Sequence, residues 1–197
     1  MFIRVLVWPA FFPRRAAGDG NVNAFIQRFG WAFILLRWGY YTVVFAFFRD
    51  YETLWKPFVP PPFGLSPAQY GPLQSFLAVP FGFLLMAAMS LAWLPVWRWK
   101  RPVKELQRPS VRRLMNVLGL PFFLPFVLLQ FLDLVFLRTV GWASLAVIPA
   151  HTLVLAWESV AISLYARTLL AAGKWFVPVS ALVLTAVWIA VCAPVWR

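Results

Sequence analysis

Three ionisable side chains, Arg37, His151 and Glu158, lie inside long apolar stretches of this 197-residue sequence. A charge in apolar surroundings is costly unless it has a partner, so each of these residues needs an explanation. Arg37 and Glu158 carry opposite charges, and they predict a buried ion pair that joins two helices. Two other interpretations stay open: a proton relay or a site for an anionic substrate, or an Arg37 side chain that extends to the nearest polar boundary.

His151 is the only histidine, and it precedes Glu158 by seven residues, which places both on one face of a helix. Such a histidine could be the axial ligand of a haem or chlorophyll, or it could bond a carbonyl of a neighbouring helix. Asp133 stands near the end of another apolar stretch, close to Arg138, and is interpreted as a polar residue at the membrane interface rather than a site.

Sequence patterns of known catalytic sites are missing. There is no GxSxG, HExxH or phosphate-binding glycine loop, and no aspartate pair with the spacing of an intramembrane protease. One histidine and two deep charges cannot build a metal site with three protein ligands unless partners contribute, and the single cysteine, Cys192, allows no thiolate metal cluster. The sequence therefore predicts no enzyme, no metal and no cofactor.

Composition identifies the elements that must position these residues. Apolar side chains make up 62% of the chain, charged ones 12%, and the mean hydropathy is +0.77. A soluble domain is about half apolar and a quarter charged, so this chain has too little polar surface for water on all sides. In lipid the backbone must satisfy its own hydrogen bonds, which favours helices. We therefore predict an all-α, multi-pass integral membrane protein.

About 20 mostly apolar residues are needed to cross the hydrocarbon region, and five stretches qualify or nearly qualify. We predict an interfacial or cytoplasmic segment at 1–28, followed by a five-helix membrane domain at 29–197. The predicted spans are about 29–48, 73–97, 114–137, 142–166 and 175–196. Arg37 and Glu158 each lie about eight residues from the inner end of a span, or about 12 Å deep, so they can meet at one level.

Lysine and arginine are unevenly distributed between the predicted spans. An orientation with the N-terminus inside and the C-terminus outside places 13 of them on the cytoplasmic side and 4 outside. The net charge of +12 therefore suggests anionic lipid headgroups as partners, or an acidic protein, rather than nucleic acid. The basic inner loop contains seven of these residues: Arg98, Lys100, Arg101, Lys104, Arg108, Arg112 and Arg113.

Several tryptophans lie near the predicted ends of the spans, where an aromatic belt at the membrane interface would place them. We interpret six of them in this way: Trp93, Trp97, Trp99, Trp142, Trp175 and Trp196.

The second half of the chain resembles the Yip domain family of five-span, Rab/Ypt-interacting membrane proteins and their bacterial relatives. The resemblance lies in SVRRLMNVLGLPFFLPFVLLQFLDLVFL (Ser110–Leu137) and in AHTLVLAWESVAISLYARTLLAAGKWFVPVSALVLTAVW (Ala150–Trp188). In AQYGPLQSFLAVPFGFLL (Ala68–Leu85), the Tyr-Gly-Pro matches the family's Asp-Leu-Tyr-Gly-Pro, whose Asp-Leu is replaced by Ala-Gln. The family's Gly-Tyr-Pro stretch reads Gly-Leu-Pro at 119–121.

The resemblance implies a five-helix bundle with a cytoplasmic N-terminus and an outer C-terminus. We expect a bacterial-type member in the cytoplasmic membrane, acting as a non-enzymatic scaffold or interaction subunit. Two alternatives stay open: an accessory subunit of a pigment- or haem-containing energy-transducing complex, with His151 as the ligand, and the membrane component of a small-solute permease.

Overall fold

In a computed structural model, every regular element among the described residues is a helix. The structure describes residues 2–47, 64–98, 110–119, 125, 127–128 and 144–195. In chain order its helices are α1 (Phe2–Phe11), α2 (Pro13–Gly18), α3 (Gly20–Phe47), α4 (Pro67–Arg98), α5 (Val111–Gly119), α6 (Ser144–Leu170) and α7 (Phe176–Val195).

Among the described residues, two stretches are long and apolar enough to cross a membrane: Phe76–Arg98 in α4 and Thr152–Leu170 in α6. These correspond to the predicted second and fourth spans. Helix α3 covers nearly all of the first predicted span but begins nine residues before it, and α7 covers most of the fifth. Helix α5 covers only the first residues of the third predicted span, and most of the rest of that span lies outside the described part of the chain.

Short polar side chains cap the starts of three helices. The carboxylate of Asp19 accepts hydrogen bonds from the backbone N–H groups of Asn21 and Val22, at 3.0 and 3.1 Å, at the start of α3. Before α4, Ser66 and Gln69 bond each other's backbone N–H groups reciprocally, which is a capping box. The Ser110 hydroxyl accepts from the Arg113 N–H at the start of α5. Each cap satisfies donors that a helix start otherwise leaves unpaired.

Helices α3 to α7 share one core. Helix α3 packs against α4 and α5, α4 packs against α7, and α7 packs against α6. Hydrogen bonds between side chains reinforce two of these contacts: Trp93 Nε1 donates to Ser180 Oγ at 2.9 Å, between α4 and α7, and the Ser159 and Thr185 hydroxyls lie 3.0 Å apart, between α6 and α7.

Two tryptophans assigned to the interfacial belt lie instead in this core. Trp93 and Trp97 are fully buried, and their ring centroids are 5.2 Å apart in an edge-to-face arrangement. The belt interpretation is wrong for these two, because both lie on the face of α4 that packs inside the bundle. Trp175 is exposed; Trp99, Trp142 and Trp196 lie outside the described residues.

The N-terminal segment forms two short helices that pack against α6. Arg4 near the start of α1 lies 3.7 Å from Asp19, which follows the end of α2. At the junction of the two helices, Trp157 Nε1 donates to the Ala10 carbonyl at 3.2 Å, and the Trp157 ring packs edge-on against Phe11. The segment is thus a helical hairpin with a defined docking face.

Candidate functional site

Arg37 of α3 and Glu158 of α6 form a two-point ion pair. Both terminal guanidinium nitrogens donate to the carboxylate, one to each oxygen, and the Nη2–Oε2 distance is 3.1 Å. The two side chains are only 11% and 7% exposed. Parallel donation from guanidinium to carboxylate is the strongest common form of side-chain hydrogen bonding, and here it neutralises both charges inside the protein. The structure therefore brings together the two residues that the sequence pairs.

Long polar side chains connect α3 and α6, whose backbones have little direct contact. The ion pair is one connection. At a second level, the Tyr165 hydroxyl donates to Asn23 Oδ1 at 2.6 Å. The buried alanines Ala16 and Ala17 belong to α2, which packs against both α3 and α6. Polar side chains thus connect α3 and α6, two helices that do not pack closely against each other.

Asn116 attaches α5 to the backbone of α3. Its Nδ2 donates to the Gln27 carbonyl at 2.7 Å, and its Oδ1 accepts from the Trp31 N–H at 2.9 Å. Gln27 and Trp31 are four residues apart, so these are the two backbone groups that bond each other in a regular α-helix. The Asn116 amide therefore bridges one step of the α3 hydrogen-bond ladder.

Glycines allow this close approach. A Cβ atom on Gly30 would lie 1.9 Å from the Asn116 backbone oxygen, and one on Gly119 would lie 2.2 Å from the Gly30 oxygen. No side chain fits at either position while the helices keep their places. The crossing of α3 and α5 thus depends on two glycines and one asparagine.

A groove with a positive lining lies beside this crossing, between α3 and the start of α5. Its volume is about 430 Å³. Arg113 is half-buried there, and its Nε donates to Gln27 Oε1 at 2.8 Å. Burial lowers the pKa of the Arg113 guanidinium, and the nearby Tyr165 opposes this shift. We call this space the cationic groove, and it is lined by Ala24, Gln27, Arg28, Ser110, Arg112, Arg113 and Asn116.

A second groove, of about 490 Å³, lies next to the first. The two share Arg112 and Asn116, but the remaining lining of the second is apolar. We call this space the apolar groove, and its other lining residues are Trp31, Phe83, Val111 and Met115.

The remaining predicted site residues are only partly described. Of the basic inner loop, Arg98 is exposed at the end of α4, Arg112 is exposed and Arg113 is half-buried, and its other four residues lie outside the described part. Asp133 also lies outside it. His151 falls within α6, but its side chain is not among those described. Within the described residues no group of three His, Cys, Asp or Glu side chains could hold a metal ion.

Sequence reasoning missed Asn116, Gln27, Asn23 and Tyr165 as structural partners. A signal existed for Asn116: it is a polar residue between apolar ones, three positions before Gly119 in the same helix. No local signal identified Gln27 and Asn23, because they lie in a segment assigned to the cytoplasmic side, where polar residues need no partner.

Comparisons of the chain with protein-family models, curated proteins and solved structures found no match.

Proposed function

We propose that this chain is a non-enzymatic, Yip-like, five-span membrane protein that acts as a scaffold or interaction subunit. In this proposal the N-terminus is cytoplasmic, the C-terminus is outside, and the protein resides in a bacterial cytoplasmic membrane. The two apolar helical stretches Phe76–Arg98 and Thr152–Leu170 support membrane insertion. The basic inner loop would contact anionic lipid or an acidic protein partner.

The observation that supports the proposal is that Arg37 and Glu158 are buried and pair with each other. Both carboxylate oxygens are engaged by Arg37, and both side chains are buried. A site for transport or catalysis needs a charged group that can bind substrate or exchange a proton with it. Here the two charges satisfy each other, which favours a role in holding helices together. No feature of the described residues adds support to the pigment-binding or permease alternatives.

Crosslinking in native membranes tests this function. The tagged full-length protein is purified as wild type and as the Arg37→Leu/Glu158→Leu double variant. We expect one protein partner, present in a fixed ratio to the wild type, and recovered equally well with the double variant because two leucines can replace a structural ion pair.

The matched variants for the basic inner loop are Arg112→Gln/Arg113→Gln and, as a control of equal charge, Arg14→Gln/Arg15→Gln. We expect the first to lower recovery of the partner and the second to leave it unchanged. Absence of any protein in fixed ratio would contradict the scaffold proposal. Loss of the partner from a correctly folded Arg37→Leu/Glu158→Leu variant would assign the ion pair to a functional site instead.

A further inference from the structure

We propose that the cationic and apolar grooves together form one binding site for a single anionic phospholipid. The headgroup phosphate would lie beside Arg28, Arg112 and Arg113, and an acyl chain would lie along Trp31 and Met115. This inference rests on the membrane location proposed above, and it goes further by assigning a specific site, its residues and the chemical class of its ligand.

Positive charge without a carboxylate partner is the first argument. In the described part of the chain the only carboxylates are Asp19 and Glu158, and these are paired with Arg4 and Arg37. The three arginines of the cationic groove therefore have no carboxylate partner among the described residues. Like charges that converge on one groove repel each other, and a bound anion would relieve this repulsion.

The fixed position of Arg113 is the second argument. Its Nε is held by Gln27 at 2.8 Å, and the Ser110 hydroxyl holds its backbone N–H at 3.2 Å. Its Nη1 is buried and has no acceptor among the described residues. A guanidinium pairs well with phosphate oxygens, and one already oriented by its neighbours loses little freedom on binding. An anion in the cationic groove would supply the acceptors that this side chain lacks.

The adjoining apolar groove distinguishes a lipid from a soluble phosphate. Arg112 and Asn116 line both grooves, so the polar and apolar parts meet directly. Trp31 is 42% exposed beside Met115 and offers a flat apolar surface. A phospholipid carries a phosphate next to an acyl chain and matches both parts, whereas a free phosphate matches only the first.

The location agrees with this ligand. Arg28, Arg112 and Arg113 all belong to the side of the membrane that the distribution of basic residues predicts to be cytoplasmic. Diffuse attraction would also draw anionic lipid to this side, and it would depend equally on any exposed arginine there. At a specific binding site, by contrast, the arginines that line the groove contribute more to lipid binding than other exposed arginines do.

Lipid titration of the purified full-length protein in neutral detergent micelles tests the site. Binding of phosphatidylglycerol and of phosphatidylcholine is measured by native mass spectrometry for three proteins: wild type, Arg28→Gln/Arg112→Gln, and Arg14→Gln/Arg15→Gln. Each double variant removes two exposed arginines. We expect wild type to prefer phosphatidylglycerol. Because the groove variant loses charge-assisted hydrogen bonds to the phosphate, it should bind phosphatidylglycerol about tenfold or more weakly, and the control should change by less than about twofold.

Competition by soluble anions distinguishes a lipid phosphate from a free phosphate as the ligand of the groove. Inorganic phosphate and glycerol 3-phosphate are added as competitors, and we expect neither to displace phosphatidylglycerol at matched concentration. The Arg28→Lys/Arg112→Lys variant keeps the charges and should retain most of the binding, which guards against a result caused by misfolding of the glutamine variant.

Three outcomes would overturn the inference. Equal losses of binding in the two glutamine variants would show diffuse attraction. Effective competition by phosphate would assign the groove to a soluble anion. If wild type showed no preference for phosphatidylglycerol, an anionic phospholipid would be excluded as the ligand. These results are distinguishable from failure of the proposed scaffold function, because lipid binding in micelles is measured without any protein partner.

Discussion

Removing either Arg37 or Glu158 alone would leave the other in a buried position without the opposite charge that neutralises it. The cost of such a charge is several kcal/mol, whereas the intact pair contributes little beyond what two well-packed apolar side chains would supply. We therefore expect the two residues to behave as a unit. Single substitutions measure the cost of one buried charge without its partner, and the double substitution measures what the intact pair contributes.

We predict that Arg37→Leu and Glu158→Leu each lower the free energy of unfolding by about 3–5 kcal/mol, and that the double variant recovers most of this loss. The measurement is unfolding of the purified protein in mixed micelles with increasing SDS. Arg14→Leu, at an exposed position, is the control and should change stability by about 0.5 kcal/mol or less. Additive losses in the double variant would mean that the two residues do not stabilise the fold through each other.

Gly30 offers a second test at the scale of one residue. We predict that Gly30→Ala destabilises the protein by about 1–3 kcal/mol or more, because the new Cβ would lie 1.9 Å from the Asn116 backbone oxygen and would force α3 and α5 apart. The midpoint of thermal unfolding measures this effect.

Gly39 supplies the matched control in the same helix. Nothing lies within 4 Å of a Cβ at this position, so Gly39→Ala should be neutral or stabilising, by up to about 1 kcal/mol, through the higher helix propensity of alanine. If both substitutions had the same effect, the close crossing at Gly30 would not contribute to stability.

At the scale of elements, the N-terminal hairpin of α1 and α2 packs against α6, and Trp157 contributes a side-chain contact at the junction of α1 and α2. Trp157 provides both the hydrogen bond to Ala10 and the ring contact with Phe11. A contact of this size is worth about 1–3 kcal/mol, so its loss would allow the hairpin to open locally more often while the rest of the bundle stays folded.

We predict that Trp157→Ala increases the rate of trypsin cleavage at Arg14 and Arg15 by about tenfold, because cleavage requires α2 to unfold locally. Time-resolved mass spectrometry of the digest gives the rate. Trp175→Ala removes an exposed tryptophan at the turn between α6 and α7 and should leave the rate unchanged. Similar acceleration by both variants would indicate general destabilisation rather than release of the hairpin.

For the whole molecule, the decisive quantity is the number of membrane crossings. We predict that reporters fused to the two ends of the chain report opposite compartments, the N-terminal one inside and the C-terminal one outside. A reporter inserted after Arg98, at the end of α4, should report the inside, because the basic residues that follow it strongly favour the cytoplasmic face.

Both ends on one side would contradict the five-span topology and, with it, the Yip-like proposal. That result would leave the Arg37–Glu158 contact and the α3–α5 crossing intact, since these are geometric features of the described residues. The fusions therefore test the arrangement in the membrane separately from the packing of the helices.

The sequence by itself determined the helical class and the apolar character, and it favoured the pairing of Arg37 with Glu158 over the alternatives. Composition and the length of apolar runs are local properties, and opposite charges at equal depth in two helices have few other partners. Over the described residues the structure agrees for the helical class, brings this pair together and contains two helices that are apolar enough to span a membrane.

Only the tertiary structure decided which faces meet. Asn116 bonds backbone groups more than 80 positions away in α3, and Trp93 turns into the core although its position near a predicted end favoured the membrane interface. The docking of the hairpin on Trp157 was equally hidden from the sequence. Such contacts depend on the rotation and separation of whole helices, and many rotations of an almost uniformly apolar helix bury the same amount of apolar surface. The few polar and glycine positions select among these rotations, and their partners are distant in the chain.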